Sequence, residues 1–291
     1  MTETKEILAM FGIYAPERVE QIYKSAWSID DKYILKTNSD KAQLDKSILL
    51  SDLLIKEKTP VPEFLTAPDG KRYVQIDDVY YTLMEKIDGH YLDPYADVPY
   101  ENGIMLGELV ADLHLALGKI GDEFECYDAD YMNELDDWIL KRIKENNVQI
   151  SQEIIDYCYS FGPLYRTLPR QLIHRDVHMW NLLFNGRDFC GYLDFDNSQK
   201  NVRLHDLCYL GANLLVDNYQ DQSRVTIWRD IFRGVLEGYS SVFELTENEI
   251  KAIPYMFVFI ELTFAAAYAP QGQHELSVDM TKWFYRNRDT F

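Results

Sequence analysis

Three side chains in the segment "LIHRDVHMWNLLFNGRDFCGYLDF" have types and spacing that could do chemistry: Asp176, Asn181 five positions later, and Asp194. Their neighbours are apolar and strand-like. A bare carboxylate in such surroundings is costly unless a cation or several donors compensate it. Asn185-Gly186 is a turn dipeptide between "NLLF" and "DFCGYLDF". It predicts a hairpin whose two ends bring Asn181 and Asp194 to one mouth. An amide oxygen and a carboxylate together suit a hard divalent cation such as Mg2+, which keeps waters and takes its remaining ligands from substrate phosphates. Asp176 lies on the loop feeding the hairpin, where a carboxylate can orient a hydroxyl nucleophile or accept its proton. Taken singly, each of the three is an ordinary turn or cap residue. In this order around one hairpin they point to function.

The elements that must position these groups fall into two parts. "RVEQIYKSAWSI" and "DKYILKT" read as two strands joined at Asp30-Asp31. A helix, "DKAQLDKSILLSDLLIKEK", follows, with Leu44, Ile48, Leu49 and Leu53 at helical spacing, and "TPVP" stops it. "EFLTA", "KRYVQI" and "VYYTLMEKI", separated by Pro68-Asp69-Gly70 and Asp77-Asp78, read as a strand meander. Residues 1–87 are therefore expected to form a small antiparallel sheet with one helix. After Asp88-Gly89 the pattern is helical ("ENGIMLGELVADLHLAL", "MNELDDWILKRIKENN", "SQEIIDYCYSF"). The hairpin interrupts it, and it is helical again from about Leu204. Residues 88–291 are expected to form a larger, mainly helical lobe carrying the catalytic loop, metal site and substrate pocket.

"HRDVHMWN" followed by "LDFD" resembles the H-x-D-x-x-x-x-N catalytic loop and metal aspartate of the kinase superfamily. "LGELVADLHLAL" and "LHDLCYL" extend the likeness. From about Tyr23 to Leu210 the chain resembles the aminoglycoside phosphotransferase and choline kinase group. That resemblance implies an α+β, bilobal, protein-kinase-like fold, ATP or GTP as phosphoryl donor, and Mg2+. It implies that Asp176 orients or deprotonates the acceptor hydroxyl, and that Asn181 and Asp194 hold the metal. Lys36 would hold the α- and β-phosphates, Ser25 would lie in the phosphate-covering loop, and backbone groups near Glu85 and Ile87 would meet the adenine. Asp196 would be an auxiliary acid, and His174 and Asp206 would support the loop. Two departures stand out. No glycine lies between Arg18 and Thr37, and the glutamate expected to pair with Lys36 is missing: Ser47 is near its place, flanked by Asp45 and Asp52.

With 48 acidic against 29 basic residues, a net charge of −19 argues against nucleic acid as the main partner. It is compatible with a cationic small substrate, such as an amino alcohol or aminoglycoside. Four cysteines without zinc or redox spacing read as reduced thiols. "MTETKEILAMFG" lacks a leader pattern, and the apolar run Tyr255 to Ala269 is short and holds Glu261, so a cytoplasmic protein without a membrane span is expected. Glu261 reads either as a cation-binding group in a pocket with Phe257, Phe264 and Tyr268 or as the partner of a core arginine. Asp217 is a second substrate candidate. About a dozen residues separate Asp194 from Asp206, too few for an activation loop, which disfavours a protein substrate. The alternative reading is a nucleotide-binding pseudokinase, supported by the missing glutamate and the glycine-free loop. The sequence leaves oligomeric state open.

Overall fold

The structure, a computed structural model, describes residues 2–121 and 123–291. In chain order its first elements are α1 (Thr2–Met10), β1 (Val19–Tyr23), β2 (Ala26–Ile29), β3 (Tyr33–Asn38), α2 (Lys41–Lys56), β4 (Val74–Ile76) and β5 (Val79–Glu85). The helical part begins with α3 (Pro99–Ile120). Then α4 (Tyr131–Glu134) runs through a π-turn at Leu135–Ile139 into α5 (Leu140–Glu145), and α6 (Gln152–Ser160) and α7 (Gly162–Tyr165) follow. Next come β6 (Arg170–Ile173), β7 (Leu182–Asn185), β8 (Asp188–Tyr192) and β9 (Gln199–Val202). Four helices complete the chain: α8 (Leu204–Leu215), α9 (Gln222–Val242), α10 (Glu247–Tyr268) and α11 (Glu275–Asn287).

The chain divides into two compact units, and the division is not a single cut after residue 87. The first unit holds residues up to Leu92 together with Trp180–Asp196. Backbone hydrogen bonds explain the transfer of the hairpin: His90 and Phe184 exchange both of theirs, and the Tyr192 N–H donates to the Pro60 carbonyl. In this unit β1-β2-β3-β5-β4 form an antiparallel sheet, with Ala26 opposite Lys36 and Lys36 opposite Thr82. Only the "VQI" of "KRYVQI" is strand, and "EFLTA" contributes one isolated bridge, Phe64 to Met84. "RVEQIYKSAWSI" is two strands with a tight turn at Lys24-Ser25, not one. The unit also carries a second helix. Ile7, Leu8 and Phe11, in and just beyond α1, bury against Ile29, Leu35 and Leu83 of the sheet, so the amino-terminal segment folds as helix because it has an apolar face to cover. α2 begins at Asp40, whose side chain accepts from the Gln43 N–H as an N-cap.

The second unit holds Asp93–Met179 and Asn197–Phe291. Its central pair is α3 against α9, brought to backbone contact by two glycines on each helix. A Cβ at Gly103 or Gly107 would overlap the carbonyl oxygens of Ile231 and Val235, and one at Gly238 would overlap that of Ile104. The G-x-x-x-G spacing places each pair one turn apart on a single face. α10 starts with a capping box, Thr246 with Glu249, and Glu249 also pairs with buried Arg203 at 2.7 Å. α10 has 22 residues, longer than the apolar run alone, and is long and apolar enough to cross a membrane by length and composition. Most of it is buried in this unit, where Phe257 and Phe259 lie in the core. A two-stranded sheet, β6 with β9, was not legible in the sequence. It places Ile173 opposite Gln199, so the chain leaving β6 runs beside the chain entering β9.

Candidate active site

Within the first unit, the hairpin does what its turn chemistry predicts. Leu182 pairs with Tyr192, and the Leu193 N–H donates to the Asn181 carbonyl at 2.9 Å. Asn181, nearly buried, and Asp194 therefore leave the ladder at the same mouth. Asp194 adopts a left-handed backbone (φ 60°), a conformation that costs a non-glycine residue about 1–2 kcal/mol and that Asp tolerates better than most. Its Oδ1 is 3.4 Å from the Lys36 ammonium, and Asp196 Oδ2 is 3.9 Å from the same group. Lys36 thus faces two carboxylates that are about 160 residues away in sequence.

The partner of Lys36 is neither Asp45 nor Asp52. Asp45 pairs with Lys41, and Asp52 with Arg72 at 2.9 Å. Helical spacing explains this, since positions 45 and 52 share the outer face of α2 while Ser47 turns inward. The Ser47 hydroxyl donates to Asp196 Oδ1 at 2.6 Å, and the Gln43 side chain donates to the Asp196 carbonyl. A neutral serine here meets an acid from the hairpin, so the carboxylate comes from Asp194 and Asp196 rather than from the helix. Ser47 and Gln43 were missed as site residues because their partner is so distant in the chain.

Among the described residues, no three His, Cys, Asp or Glu side chains converge as a metal site. Asn181 and Asp194 offer oxygen only, and a two-ligand oxygen set fits Mg2+ that brings phosphate and water ligands with it. Ser25 sits at the β1–β2 turn, where its carbonyl accepts from the Thr37 N–H at 2.9 Å, next to the strand position of Lys36. The Glu85 N–H is already given to the Glu63 carbonyl. Ile87 packs on Gly191: a Cβ at Gly191 would collide with the Ile87 side chain and the Pro60 carbonyl.

In the second unit the loop that carries Asp176 is built around Asp206. Its Oδ2 accepts from the His174 N–H (2.9 Å) and its Oδ1 from the Arg175 N–H (2.8 Å), and the buried His114 Nε2 lies 3.0 Å from Oδ2. Arg175 has φ 69°, so the carboxylate secures a strained turn. Burial alone would raise the Asp206 carboxyl. The His114 hydrogen bond and charge, with His205 and His174, outweigh it and hold the group below the usual carboxylate value. His174 closes the turn by accepting from the Asp176 N–H at Nδ1 (3.2 Å). His205 meets the Tyr131 hydroxyl and the Arg175 carbonyl, and burial lowers it to about 4, which keeps it neutral.

Asp176 is oriented from both sides. The Tyr209 hydroxyl donates to Oδ1 at 2.9 Å, the Asn197 amide donates to Oδ2 at 3.3 Å, and His178 Nε2 is 3.5 Å from Oδ1. Tyr209 was not singled out from the sequence, yet it follows Asp206 by three positions on α8. A residue one turn from the loop's buried anchor must face the same loop. Tyr209 stacks between His205 (5.8 Å) and Phe264 (5.7 Å), and Phe264 stacks on Tyr268. Glu261, on the same face of α10, is 6% exposed. It does not pair with a core arginine. Phe257 faces the core cluster of Trp228, Phe232 and Phe284, not the Tyr209 row. Asp217 is exposed in the turn after α8, near Tyr95 and apart from this cluster.

Comparison with known proteins accords with this geometry. The chain is 27% identical to a homoserine kinase of Zymomonas mobilis over 217 residues, 69% of this chain; the match spans only 61% of that relative's length. Among solved structures it resembles an amicoumacin kinase in complex with AMP-PNP, Ca2+ and Ami (TM-score 0.71, 16% identity, 99% of this chain and 93% of that one). It also resembles a GDP complex of aminoglycoside 2'-phosphotransferase-IIIa (TM-score 0.69, 16% identity, 99% and 98%). A third is a microcompartment-associated aminopropanol kinase (TM-score 0.68, 17% identity, 99% and 95%). These likenesses establish the kinase-like α+β fold. Residues 23–242 match the phosphotransferase enzyme family, and the chain belongs to that family.

Proposed function

We propose that this protein transfers the γ-phosphoryl group of ATP or GTP to a hydroxyl of a small molecule, with Mg2+ as the metal. The observation that carries the reading is the treatment of Asp176, an ionisable group whose two oxygens are held by Tyr209 and Asn197 on a loop anchored by buried Asp206. A group oriented this carefully suits positioning an acceptor hydroxyl. In the reaction the acceptor O–H bond breaks and its proton passes to Asp176. The new P–O bond forms as the bond to the β-phosphate oxygen breaks, and the nucleoside diphosphate leaves. Lys36 neutralises phosphate charge, and Asn181 and Asp194 would hold the metal. When bound, Mg2+ supplies charge neutralisation at the phosphates. Asp196, fixed by Ser47, sets the position of Lys36 between two acids. Ser25 lines the phosphate end of the sheet, and the chain from Glu85 to Ile87 meets the base. The acidic balance of the chain favours an amine-bearing alcohol as acceptor.

The experiment is a thermal-shift titration with ATP and GTP, with and without Mg2+, on wild type and Asp194→Ala. Nucleotide at about 100 times its Kd stabilises the native state by roughly 2.7 kcal/mol. We expect a Mg2+-dependent shift that disappears in Asp194→Ala. No shift with either nucleotide would overturn the reading and favour a domain without phosphotransferase activity. A shift without turnover on any alcohol would favour the pseudokinase.

A further inference from the structure

Arg175 is the strained residue of the loop that carries Asp176, and two consecutive side chains of α8 hold its peptide groups at both ends. The Asp206 carboxylate takes its N–H at 2.8 Å, and His205 Nε2 lies 3.2 Å from its carbonyl oxygen. A carbonyl can only accept, so Nε2 carries the proton of that bond. Burial lowers His205 to about 4, so near neutral pH the ring has one proton and Nδ1 is bare. Nδ1 meets the Tyr131 hydroxyl at 2.5 Å, and the hydroxyl is the donor. Burial raises the Tyr131 hydroxyl well above its ordinary value, so it keeps the proton it donates. Tyr131 is itself fixed: its ring stacks on Phe259 with centres 4.9 Å apart, and its N–H donates to the Tyr165 hydroxyl at 3.1 Å. Of the two neutral tautomers, one fits these neighbours.

The same ring reaches Asp176 by a second route. Tyr209, one turn further along α8, lies flat on the His205 ring, with centres 5.8 Å apart and planes 9° from parallel. From there its hydroxyl donates to Asp176 Oδ1 at 2.9 Å. His205 thus touches both the backbone that leads into Asp176, at the Arg175 carbonyl, and the side chain that orients its carboxylate. An apolar ring would pack there at lower cost, because a buried imidazole gives up its hydration. The two hydrogen bonds account for the polar ring. We propose that His205 is a positioning residue for phosphoryl transfer: Tyr131 locks it as the Nε2–H tautomer, and in that form it holds Asp176 in place from the backbone and from the side chain. With the tautomer reversed, the bare ring nitrogen would face the Arg175 carbonyl, two acceptors without a proton between them. The turn at φ 69° would then lose one of its two ties. The effect on rate rests on the phosphotransferase reading, whereas the tautomer is a property of the protein without ligand.

The test has a spectroscopic arm and a kinetic arm. Nitrogen NMR of the ligand-free, histidine-labelled protein reads the tautomer, with the His205 signals assigned by their loss in His205→Gln. Wild type is expected to show a protonated Nε2 and a bare Nδ1, and Tyr131→Phe a mixture of both tautomers. The kinetic arm follows transfer from ATP or GTP, with Mg2+, to L-homoserine and to water, per folded molecule. In Tyr131→Phe kcat should fall by about two- to tenfold, the range of one neutral hydrogen bond. His205→Phe keeps a stacked ring and loses both bonds, and its kcat should fall by about tenfold or more. His205→Gln, whose amide nitrogen can reach the Nε2 position, should recover part of that loss. Nucleotide KM should hold throughout, and in an Asp176→Ala background neither His205 variant should slow the reaction further. The proposal is overturned by a bare Nε2 in wild type, or by a tautomer that changes in Tyr131→Phe without a change in rate. A His205→Phe loss that persists undiminished in the Asp176→Ala background, or that appears as a rise in nucleotide KM, would also overturn it. If His205→Phe does not fold, Tyr131→Phe and His205→Gln decide by the same criteria. The expected tautomer in a protein that transfers to neither acceptor and shows no nucleotide shift would sink the phosphotransferase reading, and with it the effect on rate, while leaving the tautomer lock established.

Discussion

Tyr209 is the residue that the sequence motifs leave out and that the geometry puts beside Asp176. If its hydroxyl positions the carboxylate, then Tyr209→Phe keeps the stacked ring and loses the hydrogen bond at Oδ1. We expect kcat to fall by about ten- to a hundredfold with little change in nucleotide KM, in line with the loss of a hydrogen bond to a charged group of about 1.5–3 kcal/mol. In an Asp176→Ala background, itself slowed by about 10²–10⁴, the same substitution should cost nothing further. Additive losses would show that Tyr209 acts elsewhere. Glu261 makes a second statement at this scale, in the pH dependence of stability. Its carboxyl is raised in the folded protein from its ordinary 4.5 to about 8. Between those values the unfolded chain releases a proton that the folded chain retains, so stability falls as pH rises, and the cost is complete above about 8. Glu261→Gln should therefore raise stability little below pH 4.5 and by an amount on the order of 5 kcal/mol above pH 8. Parallel pH–stability curves for the two proteins would contradict that.

At the scale of elements, the anchor of the Asp176 loop depends on the close pair α3 and α9. α3 carries His114, the partner of Asp206, so the depth at which α3 lies decides whether the anchor reaches the loop. Gly107 has no room for a side chain, because the α9 backbone at Val235 and Tyr239 occupies its Cβ position. Gly107→Val is expected to destabilise by about 3 kcal/mol or more, since backbone cannot yield as a side-chain tip does. It should also slow turnover beyond the loss of folded protein, as the His114–Asp206 contact shifts. Chemical denaturation together with activity per folded molecule would check both. Retention of full stability would mean that the helices separate without cost. The hairpin β7–β8 is the opposite case: its turn dipeptide and register are local, so its form was legible from "NG" and the flanking apolar residues.

For the whole molecule, charge is the dominant global property. A net −19 raises the energy of the compact state through self-repulsion, and much of it is exposed, where salt screens it over about 8–10 Å near physiological ionic strength. The melting temperature is expected to rise by a few degrees between roughly 10 and 500 mM NaCl, most of it before the Debye length falls to a few ångströms. A flat or falling curve would show that surface ion pairs such as Arg18–Glu20 and Lys86–Asp31 offset the repulsion. On the proposed function, the same excess would favour a basic acceptor over an acidic one, and an anionic nucleotide would need the Lys36 charge and a metal to approach.

Sequence alone determined the order and type of the proposed catalytic groups, because Asp176, Asn181 and Asp194 are tied to local signals: a loop, a turn dipeptide and a short hairpin. It also determined the strand-and-helix division, because periodicity and turn residues are local. It did not reveal α1, whose need for burial depends on a sheet folded elsewhere in the chain, nor the split of "RVEQIYKSAWSI", which lacks a glycine to mark its turn. Only the tertiary structure decided that Lys36 faces Asp194 and Asp196, that Ser47 replaces an acid by binding one, and that Tyr209 and Asn197 hold Asp176. It alone decided that Glu261 lacks a partner. The reason is common to all of these: the contacts join residues dozens to more than a hundred positions apart, and no periodicity or spacing encodes a distance that only packing closes.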